Sequence, residues 1–529
     1  MKFDFFNIKG SKLNILALLL FVFIVLFSLS YATAAISIER HYTWLHYFRY
    51  WIALVPLMLV YLLFYIKVLD KIESKWFLLI FLFVLALTPR LLWVLSAPTI
   101  QTSDFATYLE LALRAVDGDF SWTSNQYDAL SFYFSWFLSG LGKFFTLTAT
   151  RIAIINALAG ALLAPIFFLM GLYLFNNRRV GICAAVIVSF FPSYILYTSL
   201  VGNQVISTTL GYTAALLIVM AVKKSSLGLG LIGGTVFACA YVIRTADTMV
   251  LVIATFVYAA VLTIKKVIDH RKNCKPPSIK KTTLPVFAAI LCFFIVFNGI
   301  ASYAKLSGKY QFDTQIAYNN YLYYHLAAGQ NVAGNGREDQ ELEDAFESMT
   351  NEEFKAYVIQ RIKANIKDPG YFKMHFEKFE HEWMGWYSFW AIIGDHPAVE
   401  HYQLMSFVTI EKGFLFTIAL LLLISVLVLF RKPIENFMYF CAITIAGYSA
   451  LMFLVIRNPR YRFTAEGAII LLAGVGLCFL IDNYPNICKR IKTSNTYGKI
   501  TKSKTFSRLA EKRSVEALGA AESEKHKSA

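Results

Sequence analysis

Ala129-Leu130-Ser131-Phe132-Tyr133-Phe134-Ser135-Trp136-Phe137-Leu138-Ser139-Gly140-Leu141-Gly142-Lys143-Phe144-Phe145 is the stretch on which the topology of this chain turns. It is apolar and aromatic, yet it has only 17 residues and is interrupted by Gly140 and Gly142, whereas a helix that crosses a bilayer needs about 20 apolar residues. If it crossed, every later loop would change sides. The basic residues decide the matter. Without it, Lys67, Lys71 and Lys75, the pairs Arg178-Arg179 and Lys223-Lys224, seven Lys or Arg between 265 and 281, the pair Arg431-Lys432 and the tail all fall on one side. Positive residues gather in cytoplasmic loops, so that side is the cytoplasm. The stretch is therefore predicted to lie along the membrane interface as an aromatic-rich helix.

Composition agrees with a membrane chain. Over 529 residues the protein is 57% hydrophobic and 16% charged, with a mean hydropathy of +0.54, well away from soluble usage. Apolar runs fall at about 13–35, 48–66, 76–96, 151–175, 180–199, 204–222, 227–245, 248–264, 284–303, 410–430, 435–456 and 463–482, which predicts an all-α polytopic protein of about twelve spans. The first run follows Lys2, Lys9 and Lys12 and precedes Ala32-Thr33-Ala34, as a signal peptide would; its length favours an uncleaved anchor. Seven cysteines are scattered singly, without disulfide or zinc spacing. The net charge of +16 would point a soluble protein toward nucleic acid. Here it reports orientation, and no nucleic acid is implied.

With both termini cytoplasmic, the chain divides into two N-terminal spans (1–75), a transmembrane core (76–303) with a first outer loop at 97–150, an outer segment (304–409), C-terminal spans (410–482) and a basic tail (483–529). The outer segment carries nine Lys or Arg against fifteen Asp or Glu, which suits the outer face. It reads as helix from Glu338 to Arg361 and again from Tyr371 to Trp390, with a break at Asp368-Pro369-Gly370. The tail from Lys489 is basic and poor in large apolar residues, and is predicted to be a disordered extension facing lipid.

The informative charges are those that orientation does not explain. Arg90 lies inside the third span, Arg244 and Asp247 end the seventh, and Arg457, Arg460 and Arg462 crowd the outer end of the eleventh. A cation within a span costs on the order of 3 kcal/mol and is normally matched by a cavity or a partner. Arginine's planar fork matches phosphate oxygens, so a lipid phosphate is the simplest partner, with snorkelling to head groups as the bland alternative. Asp104, in Ser103-Asp104-Phe105-Ala106-Thr107-Tyr108, places a carboxylate beside the same face; it is either a general base or a helix N-cap for the segment that begins at Phe105. Asp117, Asp119 and Asp128 read as loop carboxylates, and Asp247 as a partner for Arg244. His325, His375, His381, His396 and His401 lack metal spacing.

These residues resemble the GT-C superfamily of membrane glycosyltransferases, in particular the branch of the protein O-mannosyltransferases and the lipid A aminoarabinose transferase. Thr88-Pro89-Arg90 followed by Ser103-Asp104 and Tyr108 is similar to the family's acidic motif in the first outer loop. Arg460-Tyr461-Arg462 is similar to its basic motif before the last span, and the run from Arg151 to Arg244 and Asp247, with Gly233-Gly234, to the portion between them. Gly329-Gln330-Asn331, Gly334-Asn335-Gly336 and Asp368-Pro369 with Lys378 and Trp383 resemble bacterial members. The likeness covers roughly 76–482. Two positions depart from it: Phe105 stands where the family often has a second acid, and Gly202-Asn203-Gln204 where an acid is common.

The resemblance implies transfer of a sugar, with inversion, from a polyprenyl-phosphate donor to an acceptor on the outer face of a bacterial plasma membrane, the acceptor being a protein, a cell-wall polymer or a glycolipid. Asp104 is the expected base; Arg244, Arg460, Arg462, Arg457 and Arg90 the expected phosphate ligands; Tyr108, Asn203 and Gln204 the expected groups that orient substrate. Because a phosphate leaves as a stable anion, charge neutralisation can replace the second acid of glycosidases. A divalent ion, Mg or Mn, beside Asp104 would assist; the two departures leave its use open. The aromatic stretch and Trp383, Trp386, Tyr387 and Trp390 are expected to admit the prenyl chain. Two other classes accommodate the arginines: a lipid or anion transporter or flippase, and an outer-face oligosaccharide ligase or polymerase that relies on loop residues such as Arg337 and Arg361.

Overall fold

The computed structural model describes residues 12–37, 45–97, 99–124, 131–272, 279–310, 314–384, 401–429 and 437–493. Among them the chain is helical, with no strand. Seven helices are long and apolar enough to cross a membrane: Lys75–Ser96, Ala149–Leu174, Gln204–Lys224, Thr248–Val267, Thr283–Leu306, Thr409–Val428 and Pro459–Asn483. An eighth candidate is a pair, Arg178–Ser189 and Pro192–Ser199, bent by 57°. Shorter apolar helices occupy Val22–Ala34, Leu54–Leu69, Leu227–Ile243 and Tyr439–Leu454. The chain is a helical, multi-pass membrane protein. It divides into two compact units, Met1–Leu477 and Cys478–Ala529; of the second, the described part is the end of the helix Arg462–Thr493.

Local sequence explains where these helices start. Ser74, Thr148, Asn177 and Ser226 each accept a backbone N–H of the first turn that follows, which satisfies donors that a helix leaves open at its N-terminus. Ser225 ends the helix Gln204–Lys224 in the left-handed conformation (φ 53°), so the chain reverses within two residues into Leu227–Ile243. That reversal lays Gln204–Lys224 and Leu227–Ile243 against one another. Leu227–Ile243 packs in turn against Ile279–Leu306. A Cβ at Gly230 would lie 2.3 Å from the Pro285 carbonyl oxygen, and one at Gly234 would lie 2.2 Å from that of Ala289. Two glycines four residues apart thus let two backbones touch, the arrangement that drives helix association in lipid.

The aromatic stretch forms the helix Phe132–Gly142, only 11 residues long. At 1.5 Å per residue it extends about 16 Å and cannot cross a hydrocarbon layer of about 30 Å. It packs against the helix Asp104–Val116 instead: Tyr108 meets Phe134 edge-on at 5.1 Å, and Ser135 donates to the Tyr108 carbonyl. Lys309 points its ammonium at Phe120, Trp136 and Tyr303, each 5.5 to 5.7 Å away, a cation–π contact that ties the chain just after Ile279–Leu306 to Phe120 and to the helix Phe132–Gly142.

The segment 304–409, expected on the outer face, contains Thr314–Gly329, Gln340–Ser348, Asn351–Ile366 and Tyr371–Met384. The single helix expected from Glu338 to Arg361 is divided at Met349-Thr350, where Thr350 and Glu353 form a capping box. The break at Asp368-Pro369-Gly370 is present, and the helix after it is described to Met384. Trp386, Tyr387, Trp390, Asp128, His396 and the tail beyond Thr493 lie outside the described residues.

Gly234→Ile is expected to force apart Leu227–Ile243 and Ile279–Leu306 and to cost about 1–3 kcal/mol or more. Thermal unfolding in detergent should show a fall of several degrees, whereas Gly228→Ala, with open space around its Cβ, should leave the transition in place.

Candidate active site

Asp104 opens the helix Asp104–Val116, and the turn before it is unusual. Ser103 has φ 52° and ψ −140°, the conformation of the first central residue of a type II′ turn, which normally requires glycine. The Phe105 N–H closes that turn on the Thr102 carbonyl at 3.2 Å. A non-glycine residue held there stores on the order of 1–3 kcal/mol of strain, a feature that clusters at functional sites. The sequence offered Asp104 as an N-cap; the cap position is Ser103, which makes no side-chain cap bond. The Asp104 carboxylate instead reaches Arg460, with Oδ2 and Nη1 2.8 Å apart.

The turn is stitched to residues 196–204 from several sides. Trp93 donates its indole N–H to the Leu196 carbonyl, Thr99 its hydroxyl to Ser199, and Asn156 its amide to the Leu200 carbonyl. Gln101 bonds the Ser199 carbonyl with its amide and the Val201 N–H with its oxygen. Phe105 then packs edge-on against Tyr197 at 6.0 Å. Asn203, at the head of Gln204–Lys224, donates to the Ile243 carbonyl and accepts from Arg244 Nη1 at 2.8 Å. The Arg244 guanidinium lies over the Tyr461 ring at 5.8 Å, beside Arg460 in the turn Pro459–Tyr461 that Asn458 caps.

Asp104, Tyr108, Asn203, Arg244 and Arg460 are therefore brought together from four separate parts of the chain. Tyr108 stands one helical turn after Asp104. Burial, with a further contribution from the Asp104 charge, raises its phenol above the ordinary range. Asn203 acts on Arg244, and Gln204 is buried behind the loop with its Oε1 unpartnered, against Gly202.

The remaining arginines have other surroundings. Arg90 is fully buried and donates to the carbonyls of Ala86, Val188 and Ser189. Arg462 is fully buried and held by Glu466, Glu411 and the Glu382 carbonyl. Arg457 turns toward the outer segment, its N–H on the Gly336 carbonyl and its guanidinium near that of Asn335. Arg361, of the ligase alternative, pairs with Asp339 and Glu341 and donates to Tyr357. Asp119 pairs with Arg114 at 2.7 Å, and the side chain of Asp247 is outside the described set.

Sequence reasoning singled out neither Tyr321 nor Tyr197, and weighed His325 only as a metal ligand. Tyr321 and His325 lie four apart on Thr314–Gly329, their rings edge-on at 4.1 Å, and His325 is 6.4 Å from the Tyr461 ring. Their i, i+4 spacing on one helix face was the available signal. Burial, reinforced by Arg460, lowers His325 to about 3, so its imidazole stays neutral at working pH. Its Nδ1 is buried without a partner.

Among the described residues no three His, Cys, Asp or Glu side chains converge as metal ligands. A divalent ion takes several oxygen ligands, and the lone Asp104 carboxylate has a guanidinium against it, so such an ion does not fit this arrangement. No family model matches the chain, and no curated protein matches it either.

Two outcomes are expected. Ser103→Gly should retain or raise thermal stability, and Ser103→Val, β-branched at positive φ, should lower it by about 1–3 kcal/mol, both read from melting curves in detergent. The second concerns acid. Burial depresses His325, His375 and His381 to about 3, 4 and 3, against 6.5 for an exposed imidazole. Below pH 6.5 the unfolded chain binds protons that the folded one does not, so stability present above pH 6.5 is lost as pH falls toward 4. Replacing any one of them by Gln should flatten the fall of melting temperature across that window.

Proposed function

We propose that this chain is a membrane glycosyltransferase that moves a monosaccharide from a polyprenyl-phosphate donor to an acceptor hydroxyl or amine. The observation that carries the reading is the pairing of Asp104, on a strained turn and partly open to solvent, with Arg460, beside Arg244 and Tyr461. A carboxylate with two guanidiniums is what inverting transfer from a phosphate leaving group requires. Asp104 accepts the acceptor's proton while the acceptor's oxygen or nitrogen forms its bond to the anomeric carbon. The bond from that carbon to the phosphate oxygen breaks, and the lipid phosphate departs with its electron pair. Arg460 and Arg244 neutralise the charge that develops there. Tyr108, Tyr321 and the neutral His325 offer hydrogen bonds to the sugar.

The resemblance to GT-C enzymes, with its bacterial members, supports the same reading, and the apolar runs and the placement of basic residues extend it to a bundle of about twelve spans with both termini in the cytoplasm and the site on the outer face. Arg90, Arg457 and Arg462 are left out of the donor site, because protein groups already hold them.

The test is a transfer assay in liposomes with a panel of radiolabelled polyprenyl-phosphate sugars and extracted membrane acceptors. Wild type should consume one donor, and Asp104→Asn should lose at least about 100-fold in rate, the usual contribution of a positioned base. Full turnover by Asp104→Asn would sink the assignment. Consumption of no donor, together with movement of labelled lipid across the bilayer, would replace the transferase with a flippase.

A further inference from the structure

The proposed base and a proposed phosphate ligand are partners of one another. Asp104 Oδ2 lies 2.8 Å from Arg460 Nη1, so that oxygen is directed at the cation. Both backbones are fixed. The Thr102–Phe105 turn and the Phe105–Tyr197 contact hold Asp104, and Asn458 caps the turn that carries Arg460. Separation of the pair is thus a matter of side-chain rotation and needs no helix to move. Arg460 also keeps a donor in reserve: its Nε is buried without a partner. A buried guanidinium donor with nothing to bond is costly, and an anionic oxygen would satisfy it.

We propose that the Asp104–Arg460 pair is a lock that the donor opens. This rests on the transferase reading above. The phosphate of the lipid-linked sugar draws Arg460 off the carboxylate and takes its Nε and Nη donors; the freed Asp104 then faces the acceptor. One ionic partner is exchanged for another, and no covalent bond changes until the acceptor arrives. Binding is consequently ordered, donor before acceptor, and the base is uncovered only when there is a sugar to transfer.

The lock makes a prediction that a simple catalytic role does not. Removing the Asp104 charge should strengthen donor binding, because Arg460 no longer has a carboxylate to leave. The probe is a fluorescent polyprenyl phosphate titrated into full-length protein in nanodiscs, using wild type, Asp104→Asn, Arg460→Gln and the double variant, with Asp104→Ser as a second neutral replacement should the first not fold. Asp104→Asn should bind about 3- to 10-fold more tightly than wild type, the scale of a partly exposed ion pair. In the Arg460→Gln background the same substitution should change binding by no more than about twofold.

Equal or weaker binding by Asp104→Asn overturns the lock. So does an equal gain in the Arg460→Gln background, which would mean plain repulsion between carboxylate and phosphate. Loss of transfer without tighter binding removes the lock and leaves the transferase standing. Absence of polyprenyl phosphate binding by wild type removes both.

Discussion

Arg462 is buried completely, and much of the site depends on how it is held. Its Nε lies 2.8 Å from Glu466, its Nη2 3.8 Å from Glu411, and its Nη1 donates to the Glu382 carbonyl. Glu411 in turn accepts from Ser193. A charge taken out of water is tolerated only when paired and hydrogen-bonded, and removing one partner of such a set typically costs 3–5 kcal/mol. The network joins His401–Leu429, Pro192–Leu196 and Tyr371–Met384 to the start of Arg462–Thr493. Two residues upstream, on the same turn, Arg460 reaches Asp104. The buried arginine fixes the position from which the half-buried one works.

The other end of that turn is fastened by the outer segment. Lys378 donates to the carbonyls of Gly329, Phe453 and Val455, and Gln330 to those of Phe453 and Leu454, so the open C-terminal carbonyls of Phe437–Leu454 are satisfied by side chains from two outer helices. A Cβ at Gly329 would lie 2.3 Å from the Val455 carbonyl, so only glycine allows this approach. Burial lowers Lys378 to about 8, which shows how far this cap is withdrawn from solvent. Segments 75–77 and 123–124 residues away in sequence thus determine where residues 455–462 lie. Trp383, expected to meet a prenyl chain, instead packs at 0% exposure against Phe27 and Tyr31.

Helices were legible because apolar length and capping residues are local properties. Each apolar run coincides with a helix or a helix pair, and Phe132–Gly142, which the charge argument set apart from the spans, is a helix of 11 residues. The site was legible only in part. Asp104, Arg244 and Arg460 stood out because charges at the ends of spans are rare and costly. Arg90 and Arg462 stood out for the same reason, yet hydropathy cannot say whether the partner of a cation is a ligand or the protein. That depends on carbonyls of Val188 and Ser189 or carboxylates at 411 and 466, contacts that exist only after folding. His325 and Tyr321 carried no such flag, because an uncharged residue outside the apolar runs breaks no rule.

The arginines therefore divide by the partners they were given. Arg90 and Arg462, at 0% exposure, are held by protein groups and closed off from solvent, although the Nε of Arg90 has no hydrogen-bond partner. Arg460 remains 19% exposed, its one close carboxylate itself 42% exposed and its Nε unpaired. On the transferase proposal, solvent weakens that pair enough for an incoming phosphate to compete, whereas a pair as dry as Arg462–Glu466 would hold against it. Partial exposure is thus a requirement of the site. An arginine in this protein can serve a ligand only where its own ion pair has been left incomplete.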